Sequence, residues 1–295
     1  MVINKHGSFY IREGWISKII EAINEDPIIF TPSNEQQAVD TIGLGRVMIR
    51  ALRYWGVALG LFEERKNSKG IEAKPTTLCR LIENNDKYCI KNGTKLLLHR
   101  ELITNENEAT AWYWLFNEWN KATITKEEFV NSFHSYLLVN GMSINKAAVE
   151  KEFNCLRNTY ILERTVNAKT IVDEDTIPFL MSIKALVINK EKQVEKNCIN
   201  NKQLDSEILM YAIAKDNYKE SKSCGQVSVE KIAEDKGQVG RYFNLKYSEL
   251  IEGLLVAENK GYIKLINNFG NRYIEFLDMD YENLISVYYE EGGAK

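Results

Sequence analysis

The chain has 295 residues, with 38 Lys and Arg against 41 Asp and Glu, a formal net charge of -3, 44% hydrophobic and 27% charged residues. That length implies two domains or three small ones, and the composition supports buried cores and excludes a disordered chain. No run reaches the ~18 apolar residues of a membrane helix, and the N-terminus MVINKHGSFYIREGW lacks the apolar core of a signal peptide, so a cytoplasmic protein with no membrane partner is expected.

In chain order, the first elements read as three helices and a hairpin. Trp15, Ile16, Ile19, Ile20 and Ile23 repeat at helical spacing up to the breaker Asp26-Pro27. Thr31-Pro32-Ser33-Asn34 offers caps for a short helix, Glu35 to Ile42, followed by the turn Gly43-Leu44-Gly45 and a long helix from Arg46 to about Leu59. A charged, turn-prone stretch from Glu63 to Lys74 follows, and Pro75-Thr76-Thr77-Leu78 reads as the strand returning from a wing. This order matches a winged helix-turn-helix, whose second motif helix enters the DNA major groove.

At about 100° per residue, Arg46, Arg50 and Arg53 fall within about 60° of one another, opposite Met48, Leu52, Trp55 and Leu59. The wing adds Arg65, Lys66 and Lys69. Between Gly43 and Gly70 six basic residues stand against Glu63 and Glu64, a local +4 in a chain of net -3. One reading of the stripe is a solvated or intramolecularly paired face. The other is DNA contact, with Arg46 and Arg50 near base edges, Arg53, Lys66 and Lys69 on phosphates, and Arg65 and Lys74 as lesser contributors. Trp55, Leu52 and Met48 would fix the helix to the core.

Further along, an aromatic helix, Glu108 to Trp119, carries Trp112, Tyr113, Trp114, Phe116 and Trp119 around most of its circumference, which fits burial better than a base-stacking platform. Thr125 to Glu128 starts a helix through Phe129, Phe133 and Leu137 to Asn140-Gly141, and Ser143 is expected to cap another that ends near Tyr160. The charged run Lys190 to Lys202 suggests a mobile connection. In the last part, Ser206 to Ala214, Val227 to Asp235 and Ser248 to Lys260 read as helices, and Gly261 to Ile266 with Asn271 to Leu277 as a hairpin. The longest of these helices exposes Glu249, Glu252 and Glu258, which suits a protein partner rather than a phosphate backbone. The expected fold is therefore mainly α, with tandem winged helix-turn-helix-like units and small β-hairpin wings over 1–92, 93–165 and 204–295, and an irregular linker over 166–203.

The strings His6-Gly-Ser-Phe9, Arg12-Glu-Gly-Trp15, Gly43-Leu-Gly-Arg46, Met48-Ile-Arg50-Ala-Leu-Arg53-Tyr54-Trp55-Gly56, Pro75-Thr-Thr-Leu78, Ala111-Trp112-Tyr113-Trp114-Leu-Phe-Asn117, Gly240-Arg241-Tyr242-Phe243 and Gly261-Tyr262-Ile263 resemble a bacterial domain-of-unknown-function family, number four thousand and seven. The pattern departs at Cys79, where a small residue such as Gly is expected. Members are typically encoded beside DNA phosphorothioation genes of the Dnd type, including proteins resembling PAPS reductases. The resemblance implies a role in DNA sulfur modification or antiviral defence without a defined activity.

Nothing in the motifs points to an enzyme. There is no GxxxxGK[ST], GxGxxG, HExxH or GxSxG, and carboxylates such as Asp173 and Asp175 lie in a polar stretch. His6, His99 and His134 lack metal-ligand spacing, and Cys79, Cys89, Cys155, Cys198 and Cys224 are never closer than ten residues, so no metal or other cofactor is expected. The expectation is a non-catalytic protein that binds double-stranded DNA on behalf of a modification or defence complex. An adaptor that uses winged helices to bind proteins, and a metal-dependent nuclease, are the alternatives.

Overall fold

Helix α1, Trp15–Glu25, forms where Trp15, Ile16, Ile19, Ile20 and Ile23 recur on one face, and all five are buried. Helix α2, Glu35–Ile42, ends at Gly43, whose left-handed φ of 74° closes the helix at no Cβ cost. Helix α3, Arg46–Ala58, buries Ile49, Ala51, Leu52, Tyr54, Trp55, Gly56 and Ala58, while Met48 in its first turn is only half-buried. Gly56 is required by close packing, because a Cβ there would sit 2.1 Å from the Phe62 ring. The structure, a computed structural model, describes residues 1–162, 177–199, 202–217, 225–277 and 280–291.

Strands β1, Phe62–Asn67, and β2, Gly70–Pro75, form an antiparallel hairpin in which Phe62 faces Pro75 and Asn67 faces Gly70. The returning strand thus precedes Thr76. Instead of continuing a strand, Thr76 caps helix α4, Thr77–Asp86, by accepting a hydrogen bond from the Cys79 amide at 3.1 Å. Thr31 anchors β2 near the hairpin turn, its Oγ1 accepting from the Ile71 amide at 2.9 Å, and Phe30 stacks on Phe62 at the hairpin base at 5.6 Å.

Helix α5, Asn92–Thr104, is buried on nearly every side. The aromatic segment is only briefly α-helical, as α6, Thr110–Tyr113, before Trp114–Glu118 winds as a π-helix. Trp112, Trp114 and Phe116 are buried, which makes the segment core. After the short strand β3, Thr123–Ile124, helix α7, Lys126–Val139, opens with a complete capping box between Thr125 and Glu128. Thr125→Ala should cost about 1 kcal/mol of stability, read as a lower urea midpoint. Helix α8, Lys146–Tyr160, is capped by Asn145 rather than Ser143, the Asn145 side chain accepting from the Ala148 amide at 2.8 Å.

Part of the run expected as a mobile connection is ordered. Strands β4, Leu186–Ile188, and β5, Val194–Lys196, pair with each other and with β3 in the order β3-β5-β4, because Leu186 and Val194 are buried. Residues 163–176, including Asp173 and Asp175, and Cys224 lie outside the described residues.

Contacts divide the chain into two units, Met1–Leu115 with Asn120–Lys196, and Phe116–Trp119 with Asn197–Lys295. The stretches expected as 1–92 and 93–165 lie together in the first, except that Phe116–Trp119 belong to the second, as does 204–295. The second unit contains helix α9, Ser206–Asn217, strand β6, Gln226–Ser228, helix α10, Val229–Glu234, helix α11, Val239–Tyr242, helix α12, Tyr247–Asn259, strands β7, Ile263–Asn268, and β8, Asn271–Phe276, and helix α13, Tyr281–Glu291. Its sheet order is β6-β8-β7. Glu258 is not a solvated surface charge as expected, since its Oε1 accepts from the Leu265 amide at 2.7 Å.

Glu207 opens α9 almost buried, accepting from Lys260 Nζ at 2.6 Å and Tyr262 Oη at 2.8 Å. Burial alone raises its pKa, but the bonds from Lys260 and Tyr262 outweigh it and hold the carboxyl below its ordinary value. A depressed folded-state pKa contributes stability that is complete above the unfolded value, about 4.3, and is lost as pH falls through the folded value. Acidification from about pH 4.3 downward should therefore cost the second unit stability, and Glu207→Gln should flatten that dependence in urea titrations.

Candidate nucleic-acid interface

Helix α3 carries the predicted arginines outward because its other faces are committed to the core. Trp55 is fully buried, donates Nε1–H to the Phe9 carbonyl at 2.9 Å, and packs against Tyr54 and Trp112 with ring centroids at 5.2 and 5.3 Å. Beside it, fully buried His6 accepts the Ser8 amide on Nδ1 at 3.0 Å, so its Nε2 is the donor to Glu152 Oε2, also at 3.0 Å. This network ties the N-terminal segment to α3 and α8. His99 with the Tyr160 hydroxyl at 2.9 Å and His134 with the Ile144 carbonyl at 2.8 Å are likewise internally bonded.

The outward face is arginine-rich but not bare. Arg46 is exposed and donates to Gln36 Oε1 at 2.8 Å. Arg50, 68% exposed, forms a two-pronged pair with Glu35, Nε to Oε1 at 2.5 Å and Nη2 to Oε2 at 3.2 Å. Arg53, 28% exposed, does the same with Glu64 at 2.5 and 2.7 Å. The hydrogen bond to Glu35 raises the Arg50 pKa, the bond from Arg50 lowers that of Glu35, and the Glu64 bond raises that of Arg53. Glu35 and Gln36 belong to α2 and Glu64 to β1, so the pairs span three elements.

The hairpin register divides the wing charges. Side chains alternate along a strand, so Lys66 shares a side with Glu64, the partner of Arg53, whereas Arg65 lies on the other side, opposite Glu72. Arg65 also stands 3.7 Å from Glu63. Lys66 and Lys69 are exposed and have no carboxylate partner among the described residues. Lys69 is held in the hairpin turn, where Asn67 Oδ1 accepts its amide at 2.8 Å and that of Gly70 at 3.1 Å.

Arg50 and Arg53 line two clefts. One, about 340 Å3, also includes Lys5, Tyr54, Glu64 and Glu108. The other, about 320 Å3, has an apolar floor of Ile29, Phe30, Pro32 and Ile49, with Glu35 at its rim. Sequence reasoning missed Lys5, Glu35, Gln36 and Glu108 here, because they come from segments outside α3 and no spacing rule connects them to it. Among the described residues, no three His, Cys, Asp or Glu side chains gather as a metal site. Burial pushes the Cys79 thiol up to about 11 and those of Cys89 and Cys155 well above their ordinary value, so these three are poor nucleophiles. No helix of the described residues is long and apolar enough to cross a membrane.

A family model described as "Protein of unknown function (DUF4007)" matches residues 3–289. Two solved structures are similar across 99% of this chain and 89% of theirs. One, described as the magnesium ion-bound SspB crystal structure, has a TM-score of 0.85 at 21% identity, and the other, the SspB crystal structure, 0.84 at 19%. No curated protein matches the chain.

Proposed function

The chain belongs to the DUF4007 family, and from that membership and the arginine face of α3 we propose that it is a non-catalytic, double-stranded DNA-binding accessory protein of a bacterial DNA sulfur-modification or antiviral defence system. The observation that carries this reading is the outward stripe of Arg46, Arg50 and Arg53 on the helix that follows the Gly43–Gly45 turn, beside a hairpin bearing Lys66 and Lys69. In a winged helix-turn-helix that helix enters the major groove and the hairpin lies along the backbone. Arg46 and Arg50 then approach base edges, and Lys66 and Lys69 hold phosphates. Arg53, gripped from the side by Glu64, is less suited to the phosphate role its position suggests, and Arg65 and Lys74 beside wing carboxylates are lesser contributors. The DNA sulfur association rests on the kinship described from the sequence strings. The test is binding of the full-length chain to duplex DNA across salt concentrations: affinity should fall linearly on logarithmic axes, and no binding at any ionic strength would end the reading.

A second reading is an adaptor for proteins of such a complex, and it concerns the second unit. There the element order α9, β6, α10, α11, α12, β7, β8 with sheet order β6-β8-β7 supports a winged-helix reading, but α12 presents exposed Glu252, Leu255 and Val256 in place of basic residues. Both roles are compatible in one chain. A metal-dependent nuclease stands third, on the description of one structural neighbour as magnesium ion-bound. Magnesium-dependent cleavage of DNA by the purified chain would establish it.

A further inference from the structure

We propose, resting on the DNA-binding reading, that Glu35 and Glu64 are positioning residues that turn Arg50 and Arg53 away from phosphates and toward guanine edges. Both carboxylates grip their arginine from the side, through Nε and Nη2. A guanidinium has five N–H donors in one plane, so the end-on fork formed by Nη1 and the outer hydrogen of Nη2 stays available. Guanine presents O6 and N7 in the major groove as a neutral acceptor pair matched to that fork. A guanine can therefore bind with the carboxylate still in place.

A phosphate cannot do so on the same terms. It carries a full negative charge and would stand beside the carboxylate, and the pair it approaches has no net charge to offer. At the free fork it is repelled by the carboxylate on the other edge, and to gain the full charge of the arginine it must displace Glu35 or Glu64 from their side-on geometry. The pairs thus suppress the sequence-indifferent part of binding, which comes from cations neutralising the backbone. Arg46 differs, since the side chain it bonds, Gln36, is neutral, and its charge is offset only by longer-range attraction to Glu35. Lys66 and Lys69 also keep their charge. The face accordingly combines Lys66 and Lys69 for holding the backbone, Arg46 whose charge serves either contact, and two compensated arginines for reading bases.

The arrangement has a measurable signature. Each arginine released from its carboxylate adds about one phosphate contact, steepening the plot of log affinity against log salt by about 0.9 and tightening binding about eightfold at 0.1 M relative to 1 M salt. Fluorescence polarisation of the full-length chain would use two probes, a duplex of only A·T pairs and one of mixed sequence containing guanines, with wild type, Glu35→Gln, Glu64→Gln and the double variant. The expected result is tighter A·T-duplex binding and a steeper slope in each variant, with a smaller preference for the guanine-containing probe. Glu35→Gln placed on Arg50→Ala should no longer lower the preference for the guanine-containing probe, and Glu127→Gln, at an exposed position of α7, should change neither slope nor preference. If wild type binds and the Gln variants leave slope and preference unchanged, or if Glu127→Gln reproduces their effect, the assignment of Glu35 and Glu64 is overturned while DNA binding stands. If neither wild type nor any variant binds either probe at low salt, the DNA-binding reading itself falls, and this proposal with it.

Discussion

Arg46→Ala combined with Arg50→Ala is expected to weaken duplex DNA binding at least thirtyfold, since a base contact from an arginine fork contributes roughly five- to 150-fold. The loss should be larger on a preferred sequence than on mixed DNA, because Arg50 is already compensated by Glu35 and adds little backbone attraction. Both side chains are exposed, and substitutions at exposed positions away from caps and cores change stability little. The thermal melt of the double variant should therefore overlay that of the wild type. A variant that melts early and binds poorly would instead indicate that the arginines brace α2 against α3 through Gln36 and Glu35. Intact binding in the double variant would remove α3 from the interface.

Trp55→Ala should do the reverse, costing about 3–5 kcal/mol of folding stability by leaving a large cavity. The indole is fully buried among Tyr54, Trp112 and His6, and its loss also strips the Phe9 carbonyl of its donor. Against a total stability of roughly 5–15 kcal/mol for a domain, this removes a large share. Urea unfolding followed by tryptophan fluorescence should show an early transition of the first unit, with DNA binding lost in step with it. Trp55→Phe, which keeps most of the packing and gives up the hydrogen bond, should fall between the two. A wild-type midpoint for Trp55→Ala would mean that the buried aromatic group does not hold α3.

These two results separate what α3 does with its two faces, and each face had a different visibility in the sequence. The buried side was readable because Leu52, Trp55 and Leu59 repeat at the period of a helix on a surface, where one side must be apolar and the other polar. Met48 follows that period yet stays half-buried, because the first turn of α3 is less covered. Helix α5 shows the converse. Its residues from Gly93 to Arg100 are all buried, so no polar stripe marks a period in the sequence. Thr76-Thr77-Leu78 resembles a strand in sequence for a related reason. β-branched residues favour strands on average, but a threonine whose hydroxyl meets the amide three residues on starts a helix, and only local geometry reveals that bond. The short strands Leu186–Ile188 and Val194–Lys196 carry too few residues to display an alternation, and they exist because partners distant in sequence complete their hydrogen bonds.

The candidate site divides the same way. By itself the sequence determined that α3 carries Arg46, Arg50 and Arg53 on one face and a core on the other, since both follow from the fixed angle between successive residues of a helix. It equally determined the kinship of the chain, through strings spread from His6 to Ile263. Only the tertiary structure decided what those arginines can do. Glu35 lies 15 residues before Arg50 and Glu64 lies 11 after Arg53, and no helical or strand period links them. They meet because Gly43 turns α2 back across α3 and because Phe62, seated on Gly56, lays β1 along it. Local spacing sets which side chains share a face, whereas the charge that a face presents depends on every element folded beside it.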